Sequence, residues 1–73
     1  MITKEEAFRL AKKWKPGFDG CQEFTNAYLF TKKSEESNIG GEGPLVILKE
    51  TGRWVPLTTY YDEYGGEFVR TLL

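Results

Sequence analysis

The segment Pro44 to Leu57, PLVILKETGRWVPL, constrains this chain more than any other stretch. Leu45, Val46, Ile47 and Leu48 make an apolar run of strand length, Lys49, Glu50, Thr51 and Gly52 are turn-formers, and Arg53 to Leu57 returns with an aromatic and a β-branched residue. The spacing predicts a β-hairpin. A run that is apolar at every position suits a strand covered on both faces, which places Leu45 to Leu48 toward the middle of a sheet. Gly52 is expected at positive φ in the turn. Pro56 has no N–H to give a ladder, so the return strand either lies at an edge or ends there.

The segments before the hairpin have their own punctuation. Thr3 with Glu6 three residues later is a capping box, which starts a helix at Lys4. Ala7, Leu10, Ala11 and Trp14 then fall on one helical face, with Phe8 widening the stripe, and Pro16-Gly17 ends the helix. Lys12, Lys13 and Lys15 near its C-terminus complement the negative end of the helix dipole. Cys21 to Phe24 and Ala27 to Thr31 read as two strands joined by a tight turn at Thr25-Asn26. Lys32 to Gly43 reads as a polar, glycine-containing loop, long for so small a domain. After the hairpin, Thr58 to Tyr61 reads as an extension of the return strand, broken by Asp62 to Gly66. Phe68, Val69, Leu72 and Leu73 are spaced as one face of a short helix, and a strand fits them too. The expected fold is therefore a single α+β domain over residues 1–73. An N-terminal helix packs on a mostly antiparallel sheet of about four strands, with a short C-terminal helix or strand.

With 73 residues there is room for one core only, and the eleven aromatic residues (Phe 5, Tyr 4, Trp 2) are the efficient way to fill it. One cysteine forms no intramolecular disulfide, and neither a signal-like segment nor a membrane-spanning stretch is seen, so the expected compartment is the cytoplasm and no membrane partner is implied. A net charge of -1 argues against nucleic acid as an obligatory partner. The charge is unevenly placed: residues 1–33 carry +3 and residues 34–73 carry -4, a polarity suited to electrostatic docking as well as to ordinary solvation.

Candidate chemistry is sparse. The chain has no histidine, which removes the commonest general base and metal ligand and every Ser-His or Cys-His arrangement. Cys21 has no second thiol or imidazole to activate it and reads as a small buried hydrophobe. Gly40-Gly41-Glu42-Gly43 has neither the Lys-Ser or Lys-Thr pair nor the following helix of a phosphate loop. Glu35-Glu36 and Asp62-Glu63 lack calcium-loop spacing and read as solvated charge. No catalytic residue, metal or cofactor is implied. A domain this small does not bury eleven aromatics, however, and Tyr and Trp are enriched at binding hot spots. Trp54, Tyr60, Tyr61 and Tyr64 are therefore the candidate anchors for a partner, with core packing the competing explanation. The acidic loop residues Glu35, Glu36 and Glu42 are candidates for steering a basic one.

The opening MITKEEAFRLAKKW, the segment NAYLF and chiefly GEGPLVILKETGRWVPL resemble the YrhB-like, immunity protein 35 family of small bacterial proteins found beside polymorphic toxins. The resemblance is specific over Gly43 to Leu57 and loose elsewhere. The ending YGGEFVRTLL departs from the acidic, Tyr-containing C-terminal helix of that family. What it implies is a non-enzymatic protein that inhibits a cognate toxin by occluding it, without a cofactor. The alternatives are a phage-encoded or host regulatory protein that binds and inhibits another enzyme, and a homodimer formed through the edge after Pro56.

Overall fold

The computed structural model describes residues 1–32 and 44–73. Its order is helix α1 (Lys4–Trp14), strands β1 (Gly20–Phe24), β2 (Ala27–Thr31), β3 (Leu45–Leu48) and β4 (Trp54–Pro56), a helical segment, and strand β5 (Phe68–Thr71). The sheet has five strands in the order β4-β3-β2-β1-β5, and every neighbouring pair is antiparallel. This is the expected α+β fold with one strand more than anticipated. The addition is β5, which takes the strand alternative for the chain's last residues.

Helix α1 begins where the capping box places it. The Glu6 N–H donates to Thr3 Oγ1 at 3.2 Å and the Thr3 N–H donates to Glu6 Oε1 at 3.2 Å. Such a cap is worth about 1 kcal/mol. Ala7 and Ala11 are wholly buried, and their small side chains let the helix lie close on the sheet. Trp14, expected on the same stripe, is instead 39% exposed at the end of the helix.

The β3-β4 hairpin also forms as read. Gly52 sits at φ +77°, its N–H donates to Leu48 O at 2.8 Å, and the Leu48 N–H donates to Arg53 O at 2.8 Å. The Ile2 N–H donates to Lys49 O at 2.8 Å, so the chain's start is tied to this turn. All four residues of β3 are buried, because each face of the sheet carries its own cluster. The register sorts the side chains. Phe30 opposite Leu45 and Tyr28 opposite Ile47 face α1, while Leu29 opposite Val46 and Ala27 opposite Leu48 face the other way. Beneath α1, the Phe8, Phe18 and Phe30 rings meet edge to face, with centroids 4.8 to 5.6 Å apart.

The outer face is covered by the chain that leaves Pro56. Thr58 to Tyr61, expected to prolong the strand, turns helical: a short α-turn (Leu57–Thr59) runs into a single π-turn (Tyr60–Tyr64). The Gly65 N–H closes the π-turn on Tyr60 O at 2.9 Å, with Gly65 at φ +56°. Folding back in this way puts Tyr60 into the outer cluster with Phe24, Leu29, Val46 and Leu48, burial that an extended exit from Pro56 does not provide. No helix among the described residues is long and apolar enough to cross a membrane.

Candidate functional site

The four candidate aromatics separate. Tyr60 is completely buried, so it is a core residue and has no surface to offer a partner. Tyr61 and Tyr64 are 60% and 44% exposed on the helical segment beside it. Trp54 is 52% exposed but stands opposite Ile47, on the α1 side of edge strand β4, and so on the other face from the two tyrosines. The candidate acidic residues Glu35, Glu36 and Glu42 lie outside the described residues.

What the structure adds is a row of rings across the outer face. Phe68 meets Phe24 edge to face at 5.9 Å, and Phe24 meets Tyr60 in the same way at 5.8 Å. Tyr60 in turn stacks on Tyr64 at 6.2 Å and lies beside Tyr61 at 6.0 Å. Phe24 and Tyr60 are buried, while Phe68, Tyr61 and Tyr64 present large exposed areas. Phe68 was not among the sequence candidates. Its position relative to Tyr60 is set by pairing with β1 across a register shift at Glu23/Phe24, and the sequence carries no signal for that irregularity.

This row is anchored by the β1-β2 turn. The Tyr60 hydroxyl donates to Asn26 Oδ1. The Gly66 backbone hydrogen-bonds the same phenol, and burial, the largest influence on it, pushes the Tyr60 pKa upward. Thr25 grips the segment after the π-turn: its N–H donates to Glu67 O at 2.9 Å and its Oγ1 accepts from the Glu67 N–H at 3.1 Å. Asn26 O also accepts from the Lys49 N–H at 2.9 Å, so two turn residues hold three separate parts of the chain. A Cβ at Gly66 falls onto both Asn26 Oδ1 and Tyr60 Oη, so any other residue there displaces one of these side chains.

The α1 side carries the titratable groups. Glu23 accepts from Lys49 Nζ at 2.7 Å and pairs with Arg70 Nε at 3.2 Å, and Lys49 Nζ lies 5.0 Å from the centroid of the Tyr28 ring. The Lys49 hydrogen bond, first among the causes, holds the Glu23 carboxyl below its ordinary range, and the charges of Lys49, Arg70 and Lys4 add to this against the opposing effect of burial. Cys21 is buried, and desolvation, reinforced by the Glu23 charge, pushes its thiol up to about 12. A thiol of that acidity stays protonated at neutral pH and is no nucleophile. Lys4, Glu5, Phe8, Arg9 and Lys12 line a shallow open hollow on the outer surface of α1. Among the described residues, no three His, Cys, Asp or Glu side chains gather in a way that holds a metal ion. No family model, curated protein or solved structure matches this chain.

Proposed function

We propose that this chain is a non-enzymatic protein-binding module of the cytoplasm, an immunity-type protein that occupies and inhibits a cognate bacterial toxin. The observation that carries the binding reading is the placement of three large exposed rings on one face, Tyr61 and Tyr64 against the buried Tyr60 and Phe68 against the buried Phe24. Exposed rings on rigid support lose little freedom when a partner covers them, which is the character of an interface hot spot. The condition of the reactive groups agrees with it. Cys21 is buried and protonated, and Glu23 is committed to Lys49 and Arg70. The immunity assignment rests on the resemblance of Gly43 to Leu57 to that family's hairpin.

The test is capture from lysate of the native host on immobilised wild-type protein, with folded Tyr61→Ala and Tyr64→Ala variants in parallel, followed by co-expression with the captured protein. The expected result is one stoichiometric partner, retained by wild type and lost by the variants, whose toxicity to cells is relieved by co-expression. Capture of no specific partner overturns the binding reading. A captured partner that is harmless on its own overturns the immunity assignment.

A further inference from the structure

We infer that the outer aromatic face is built for a basic partner, a lysine- and arginine-rich segment of a different protein, which docks on Tyr61, Tyr64 and Phe68 within an anionic rim of Asp62, Glu63 and Glu67. This deepens the protein-binding reading and depends on it. The rim and the rings come from one short stretch: Asp62 and Glu63 lie between the two exposed tyrosines, and Glu67 directly precedes Phe68. All three carboxylates belong to exposed residues, and from Trp54 to Val69 the chain contains no lysine or arginine. The next cation, Arg70, does not neutralise the rim, because the register shift turns it to the α1 side, where it pairs with Glu23. Arg53, opposite Leu48, is the one cation of the described residues that the hairpin register brings to this face, and among the described residues none of the three carboxylates is held in an ion pair, so the face offers ring faces and an excess of negative charge together. That combination suits ammonium and guanidinium groups, which gain cation–π attraction over Tyr and Phe and are steered in by carboxylates.

The edges of the sheet leave this face as the place to dock. β4 is three residues long and ends in Pro56, while β5 is interrupted by the register shift, and both features discourage addition of a further strand. A second copy of the chain is a poor occupant for a reason of symmetry. The basic residues Lys4, Arg9, Lys12 and Lys13 lie on α1, across the sheet from the acidic rim. Two copies joined through these opposite faces leave one complementary face free at each end, and such contacts grow open-ended chains instead of closing.

The test is a titration of the isotope-labelled protein, followed by backbone NMR, with poly-L-lysine and separately with poly-L-glutamate. Poly-L-lysine is expected to shift resonances of residues 61–68, with binding that weakens steeply with salt. The same titration of the triple variant Asp62→Asn, Glu63→Gln, Glu67→Gln should weaken about tenfold and lose most of its salt dependence, and Tyr61→Ala with Tyr64→Ala should weaken it by a similar factor at every salt concentration. Shifts spread over all acidic residues, or none at 61–68, overturn the inference. Sedimentation that shows the wild-type protein alone forming growing oligomers, abolished by the triple variant, assigns the face to a second copy and overturns it too. Failure here is distinct from failure of the binding reading: a partner captured from lysate equally well by wild type and triple variant leaves a binding module whose site is elsewhere.

Discussion

The two faces of the sheet are closed by different means. On one side an eleven-residue helix with its own cap lays Ala7 and Ala11 against β2 and β3, and three phenylalanine rings fill the space beside them. On the other side a short helical segment inserts one residue, Tyr60, and leaves its neighbours in solvent. The first arrangement buries Ala7, Ala11 and Phe30 and partly buries Phe8, Leu10 and Phe18, while Trp14 and, at the sheet edge, Trp54 stay exposed. The second holds one ring, Tyr60, and leaves Tyr61 and Tyr64, with Phe68 of β5 beyond them, exposed on that face.

The largest expected effect is on the α1 face. Phe30→Ala removes the buried ring packed against both Phe8 and Phe18 and should cost about 4 kcal/mol, enough to leave a domain of this size largely unfolded. Circular dichroism of the purified variant checks this, and a cooperative melt near that of wild type means that α1 contributes far less than the packing implies. On the outer face the corresponding weak point is a backbone position. Gly66→Ala should cost about 3 kcal/mol, since its methyl displaces Asn26 or Tyr60 and breaks their hydrogen bond. If urea titration finds the variant as stable as wild type, the segment after the π-turn is not pinned to the β1-β2 turn, and the outer cover is held more loosely than α1 by a wider margin.

Gly52→Val probes the edge the two faces share. A β-branched residue at φ +77° is strained, and its Cβ lies about 3.1 Å from Ile2 Cγ2, so a loss of about 2 kcal/mol is expected in thermal melts. An unchanged melting temperature places the turn's strain elsewhere. A further contrast is in acid. Because the folded-state pKa of Glu23 is depressed, its contribution to stability is present above the ordinary carboxylate range and is lost as pH falls through that range to the folded value. Glu23→Gln should therefore be less stable than wild type near neutrality, with the gap closing as pH is lowered from about 6 to about 3. A gap that stays constant over that window removes the ion cluster as the source of the difference.

Much of this architecture is legible in the sequence where the signal is local. Thr3 with Glu6, Thr25-Asn26 between two β-rich runs, and Gly52 before Arg53 each specify their own geometry, and the structure has a helix start and two hairpins at those places. The errors occur where tertiary contacts decide. Thr58, Thr59, Tyr60 and Tyr61 have strand-forming side chains, yet they turn helical because Tyr60 has a buried place to fill and a partner in Asn26. Phe68 and Leu72 look like one helical face at a spacing of four. In the sheet they lie on opposite faces, since the irregularity opposite Glu23 and Phe24 shifts the alternation between them, and no residue type announces it. The same hidden shift brings Phe68 beside Phe24 on the outer face, so its place near the exposed tyrosines is not legible in the sequence. Tyr60, Tyr61 and Tyr64 are alike in sequence, and only the packing shows that the first is buried and the other two are exposed.

The smallest expected effect bears most directly on that distinction. Tyr61 is 60% exposed, and its ring touches Tyr60 at a tilted 6.0 Å without closing the core. Removing it should change stability by no more than about 0.5 kcal/mol, the ordinary range for a surface position. Tyr60, with the same side chain one residue earlier, loses its part-buried bond to Asn26 even in the mild Tyr60→Phe substitution, at a cost of about 1 kcal/mol. Denaturant titration of Tyr61→Ala and Tyr60→Phe together makes the comparison within one pair of neighbours. The expected order is a near-silent Tyr61→Ala and a destabilised Tyr60→Phe, although the first deletes a whole ring and the second a single oxygen. The reverse order places Tyr61 in the core, and the outer face then has too little exposed aromatic surface to act as a binding site.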